Sequence, residues 1–74
     1  MSTRVLRLLY PPALVRQPII HQLIRQFDIT VNILQAQIGL EEAWLEIQAT
    51  GEETEIARAV KWLEEEGLEV REGG

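Results

Sequence analysis

From Thr3 to Tyr10 the chain alternates, with Leu6, Leu8 and Tyr10 on one side of an extended strand and Val5, Arg7 and Leu9 on the other. A period of two marks a β-strand, and the first set is expected to face the core. Pro11 and Pro12 stop it, because neither can donate to a ladder. Beyond the connecting segment PPALVRQP the period changes. Pro18 suits a helix's first turn, where its missing N–H is no loss. Ile19, Ile20, Leu23, Ile24 and Phe27 then recur at helical spacing, with His21, Gln22, Arg25 and Gln26 opposite. The pattern predicts a first helix running to about Phe27 and broken at Asp28.

Thr30 to Ile38 reads as a second strand. Asn32, Leu34, Ala36 and Ile38 share one face, and Val31, Ile33, Gln35 and Gln37 share the other. The second set becomes more polar along the strand and is expected to face outward, which puts Asn32 at the rim of the helix-covered face unless a bulge reverses it. Gly39 to Glu42 makes a hairpin turn. A third strand alternates most clearly, with Ala43, Leu45, Ile47 and Ala49 against Glu42, Trp44, Glu46, Gln48 and Thr50, and it ends at Gly51. Thr50 to Glu53 has the spacing of a capping box, with Thr54 as a rival cap. Ile56, Ala59, Val60 and Leu63 form the apolar stripe of a second helix that stops at Gly67, and LEVRE supplies a fourth strand with Leu68 and Val70 inward.

The order is βαββαβ. Two right-handed βαβ units interleave into an antiparallel sheet with both helices on one face, an α+β ferredoxin-like plait of strand order 4-1-3-2. The core is expected to centre on Ile20, Leu23, Ile24, Phe27, Leu45, Ile47, Val60 and Leu63. The topology leaves the other sheet face bare, and Trp44 falls at the middle of it with Val5 and Leu9. That trio is a candidate dimer or partner interface; the alternative is a Trp shielded by the stems of neighbouring Arg and Glu side chains.

Composition narrows the chemistry. The 74 residues make a single domain, 1–74. A chain of that size buries only about 60% of its unfolded surface, so association stabilises it substantially. With no cysteine there is no disulfide or iron–sulfur ligation. Twelve acids against seven bases give a net charge of −5, the wrong sign for nucleic acid. No apolar run has membrane-spanning length, and MSTRVLRLLYPP lacks a signal-peptide cleavage site, so a soluble cytoplasmic protein is expected.

Catalysis finds little support. The lone His21 sits on the polar side of the first helix with no acid at i±3 or i±4 to orient it. Glu64, Glu65 and Glu66 form a solvated charge run, and no His/Asp/Glu cluster has metal-ligand spacing, so neither metal nor cofactor is expected. Acylphosphatases share the plait, but assigning their roles to Arg16 and Asn32 fails because PPALVRQP has no glycine to bring backbone N–H groups around a phosphate. The paired aromatics of RNA-recognition modules are missing from the first and third strands.

A proline-started helix, VNIL opening the second strand, a glycine hairpin, an aliphatic third strand ending in Gly51 and the closing AVKWLEEEGLEV together resemble the NIL domain, from about Arg4 to Glu72. The name reflects Asn-Ile-Leu, here Asn32, Ile33 and Leu34. The family is similar to ACT domains, plaits that pair and bind amino acids at their interfaces. NIL domains occur at the C-terminus of methionine-importer ATPases, fused to ferredoxin-type modules, or alone in cyanobacteria. The resemblance implies a non-catalytic regulatory domain that binds a small amino acid, methionine first, at a homodimer interface, with Asn32, Ile33 and Leu34 at the ligand. The P-loop pattern GxxxxGK[ST] is absent, so the chain cannot itself power import. A second possibility stays open: a protein-interaction module that uses the open face and has no ligand.

Overall fold

The structure, a computed structural model, describes residues 1–39 and 41–73. Its elements are β1 (Ser2–Tyr10), α1 (Ile19–Gln26), β2 (Ile29–Ile38), β3 (Ala43–Gly51), α2 (Glu53–Glu66) and β4 (Glu69–Glu72), with a 3-10 turn at Pro12–Leu14. The sheet order is β2-β3-β1-β4 and each neighbouring pair is antiparallel. β1 and β2 thus run parallel with β3 between them, and β3 and β4 run parallel with β1 between them. This is the expected plait. In the β2–β3 turn the Gly39 N–H donates to the Glu42 carbonyl at 2.8 Å; Leu40, within the expected turn, lies outside the described residues.

One core fills the space between sheet and helices. Leu6 and Leu8 of β1, Leu45, Ile47 and Ala49 of β3 and Ile29 of β2 meet Ile19 and Leu23 of α1 and Ile56, Ala59 and Leu63 of α2. Leu68 closes one end, and Phe27 is buried with Trp62 packed on it, ring centroids 5.9 Å apart. The expected core centre needs three corrections: Ile24 is 48% exposed, while Ile20 and Val60 are only half-buried. The cause lies in α1, which is eight residues long. Its buried line is Ile19 and Leu23, one position round from Ile20 and Ile24. Ile20 turns toward Ile38 on edge strand β2, and no further strand lies there to cover the row.

The helix ends differ from expectation too. Thr50 does not cap α2, because the β3 alternation keeps it in the sheet, where its hydroxyl lies 3.1 Å from that of Thr3. Thr54 is already inside the helix, and Glu52 occupies the N-cap position without a side-chain cap bond. Pro18 precedes α1 and offers its carbonyl to the Gln22 N–H at 3.0 Å. Two glycines meet firm constraints. A Cβ at Gly51 would lie 3.0 Å from the Ile29 side chain and 3.1 Å from the Asp28 carbonyl, so β2 starts in contact with bare backbone. Gly67 ends α2 at φ 113°, a left-handed conformation that side-chain-bearing residues rarely adopt.

Glu55, in the first turn of α2, accepts the Asp28 N–H at 2.9 Å and pairs with Arg58, fastening the start of β2 to the helix. The Asp28 amide, reinforced by Arg58, holds the Glu55 carboxyl below its ordinary value. A depressed folded-state pKa contributes stability above the unfolded-state value, and that contribution is lost as pH falls through the folded one. The wild type should therefore outlast Glu55→Gln in urea at neutral pH, and the gap should narrow as pH drops below about 4.3.

Two substitutions one position apart test the core assignment. Leu23→Ala should lower the unfolding free energy by about 2–5 kcal/mol, while Ile24→Ala should cost less than about 1 kcal/mol. Urea titrations followed by tryptophan fluorescence give both values.

Candidate functional site

The face of the sheet opposite the helices is read off the strand register. Residues directly opposite one another in an antiparallel pair share a face. Across β2, β3 and β1 this gives four rows on the open face: Thr30, Thr50 and Thr3; Asn32, Gln48 and Val5; Gln35, Glu46 and Arg7; Gln37, Trp44 and Leu9. Ile29, Val31, Ile33, Ala36 and Ile38 lie opposite Gly51, Ala49, Ile47, Leu45 and Ala43, and so share the helix-covered side.

Asn32 is therefore not at the rim of the helix-covered face. The register shifts between Ile33 and Gln35, leaving Leu34 as the extra residue of a β-bulge. Before the bulge even-numbered residues face outward; after it odd-numbered ones do. The bulge removes the conflict in the amphipathic pattern, since Val31 and Ile33 reach the apolar side together with Ala36 and Ile38.

The Asn-Ile-Leu tripeptide is consequently split. Asn32 is exposed on the open face, Ile33 is 52% exposed on the other face at the sheet edge, and Leu34, 44% exposed, is the bulge residue. Asn32 joins Val5, Leu9 and Trp44 on one surface, which unites residues that the even/odd pattern had placed on opposite sides. The register adds a neighbour, Gln48, directly opposite Asn32 and next to Val5. Alternation along β3 puts Gln48 on the open face, but only the pairing register brings it to Asn32. Two amides thus stand side by side on adjacent strands, flanked by the hydroxyls of Thr30 and Thr50. Each amide offers two N–H donors and a carbonyl acceptor, a set that suits both the carboxylate and the ammonium of an amino acid.

Trp44 is half-buried, with the Arg7 guanidinium 4.4 Å from its ring centroid. Arg7 also lies 3.6 Å from the Glu46 carboxylate. This stacked arrangement shields one part of the face and leaves the Asn32–Gln48 row as its neutral part.

A different concavity of about 220 Å³ opens on the helix side, lined by Tyr10, Val15, Pro18, Ile20, Ile38 and Leu45 among others. It is mainly apolar, and burial raises the pKa of Tyr10 there. His21, at its margin, is exposed. Among the described residues no group of three His, Cys, Asp or Glu is placed to hold a metal ion, and no helix is long and apolar enough to cross a membrane.

The fold agrees with what known proteins show. The NIL domain family model matches residues 4–72, and the chain belongs to that family. It is 36% identical over 75 residues to a methionine import ATP-binding protein, MetN 1, of Paraburkholderia xenovorans, covering 96% of this chain and 22% of that protein. It is 35% identical over 63 residues to MetN 2 of Acinetobacter baylyi, covering 80% of this chain and 18% of that protein. The chain thus spans about a fifth of the length of these relatives. Among solved structures, the C-terminal domain of an ABC transporter ATP-binding protein from Enterococcus faecalis superposes with a TM-score of 0.84 at 28% identity, over 96% of this chain and 83% of that one.

Because Asn32 is exposed and flanks no core residue on its own face, Asn32→Ala should change the unfolding free energy by no more than about 0.5 kcal/mol. A loss above about 1 kcal/mol in urea unfolding would instead mark an amide that satisfies buried backbone.

Proposed function

We propose that this NIL domain is a non-catalytic regulatory module that binds a small amino acid, methionine first, as part of a homodimer. The observation that carries the proposal is the juxtaposition of Asn32 and Gln48 on an otherwise uncharged row of the open face. Amide groups fixed on two hydrogen-bonded strands hold their geometry with little loss of freedom on binding, and a few placed polar groups orient a ligand in an apolar setting. Val5 supplies the adjacent apolar surface. The names of the relatives point to methionine as the first ligand to try.

A second reading takes the open face as a docking surface for a partner protein with no ligand involved. Val5, Leu9 and Trp44 support it, since all three lie half-buried on the face that no helix covers.

Calorimetric titration and thermal unfolding with methionine, leucine and lysine separate the two. The amino-acid reading predicts a methionine dissociation constant below about 1 mM, equivalent to roughly 4 kcal/mol. A hundredfold excess over that constant should add about 2.7 kcal/mol of stability. Asn32→Ala should fold normally yet lose the response. If none of the three amino acids binds below about 1 mM, the docking reading replaces it.

A further inference from the structure

The β1–β4 register extends the open face by one strand. Arg71 lies directly opposite Arg7, and Glu69 directly opposite Leu9. One row across the face therefore reads Gln35, Glu46, Arg7, Arg71, and the next reads Gln37, Trp44, Leu9, Glu69. Two of the chain's seven basic residues meet here, cation against cation, in a protein of net charge −5.

Like charges directly opposite on neighbouring strands destabilise a sheet. Each guanidinium has one carboxylate nearby: Glu46 lies 3.6 Å from Arg7, and Glu69 pairs with Arg71. Exposed pairs of this kind contribute little to stability. Packing does not demand the two arginines either, since their side chains are 42% and 64% exposed. A local rule broken without a structural return is expected at a working surface.

The geometry around the pair is specific. Arg7 leans over the Trp44 ring, and Arg71 leans back to Glu69. Trp44 and Glu69 flank Leu9 in its row, so the two guanidiniums stand on either side of Leu9. Along β1 the open face then reads apolar, cationic, apolar: Val5, Arg7, Leu9. Successive members of that series are two residues apart, about 6.8 Å, which is also the spacing of same-side residues in an extended segment laid along the strand. The complement is aliphatic-x-acid-x-aliphatic. Arg7, Arg71, Glu46 and Glu69 are the charged residues of the open-face rows, so the net negative charge lies elsewhere and does not repel an acidic segment there.

We propose that the open face docks a partner protein through an extended segment of that pattern. Its carboxylate bridges Arg7 and Arg71, and its two aliphatic side chains cover Val5 and Leu9 beside Trp44. A guanidinium has five N–H donors and can serve a second carboxylate while keeping the first, and paired arginines are a recurrent means of reading acidic motifs. The inference rests on the docking reading above, which gives this face to a partner protein, and it names the chemistry of that partner.

The test uses a capped pentapeptide, Leu-Ser-Glu-Ser-Leu, its counterpart with glutamine in place of glutamate, and no added amino acid. Calorimetry should give the glutamate peptide a dissociation constant below about 1 mM at low salt. Binding should weaken several-fold in about 0.5 M sodium chloride, and the glutamine peptide should bind about tenfold more weakly. In nitrogen-15 spectra the Nε–H signals of Arg7 and Arg71 should move on titration, while that of Arg25 on α1 stays in place. Arg71→Gln should also bind about tenfold more weakly, with a urea midpoint equal to or above that of wild type, because a repulsion is relieved. A lowered midpoint would make the arginine pair structural and overturn the proposal. Equal binding of the glutamine peptide would overturn the acidic partner yet keep the docking reading. No binding of either peptide, with the Arg7 and Arg71 signals unmoved, would overturn both at this face.

Discussion

Residues of a β-strand alternate between faces, and only an inserted or deleted residue can change which side the following ones take. β2 makes one such change at Leu34, and the outer surface of the molecule depends on it. Upstream, the bulge leaves Val31 and Ile33 on the apolar side and turns Asn32 toward Gln48; downstream, it keeps Ala36 and Ile38 on the apolar side and turns Gln35 and Gln37 outward. With no extra residue, the strand would have to expose one half of its aliphatics on the open face. The bulge thus connects a packing requirement to the position of the residue that gives the family its name.

The inner half of the fold follows from simpler constraints. β1 and β3 are central, pair over nearly their whole length, and place Leu6, Leu8, Leu45 and Ile47 under the helices by strict alternation. Those residues were legible in the sequence because a central strand with one face covered has only one register that buries its apolar set. Ile56, Ala59 and Leu63 were legible for the analogous reason on α2. Legibility failed where two elements compete. The cap at Thr50 is an example, since one residue could serve strand or helix and the β3 ladder held it. The breadth of the α1 stripe is another. Five apolar positions fit a helical period, but the sheet edge ends before it can cover Ile24.

The candidate site was partly legible. Alternation placed Val5, Leu9, Trp44 and Gln48 on the open face, and the structure has them there. Asn32 was expected at the ligand from the family resemblance, but its facing could not be read, because a bulge is a property of pairing and leaves no period of its own in a ten-residue strand. The partnership with Gln48 is invisible for the same reason. Physically, the open face divides into a charged part, where Arg7 bridges Trp44 and Glu46, and a neutral part of amides and hydroxyls. Only the neutral part can meet a zwitterion without first breaking an ion pair. The chain belongs to the NIL family and is similar to methionine import ATP-binding proteins, which makes methionine the first ligand to try on that surface.

The central claim is that methionine is recognised by amides on the open face. It can be tested directly through the side-chain NH₂ signals of the protein in nitrogen-15 correlation spectra. On titration with methionine, the signals of Asn32 and Gln48 should move together and saturate at one dissociation constant. Those of Gln17, Gln22 and Gln26, in α1 and the segment leading into it, should stay in place. Saturable shifts confined to Gln17 and the backbone of Ile20 and His21 would put the ligand in the apolar cavity beside Tyr10 and contradict the account.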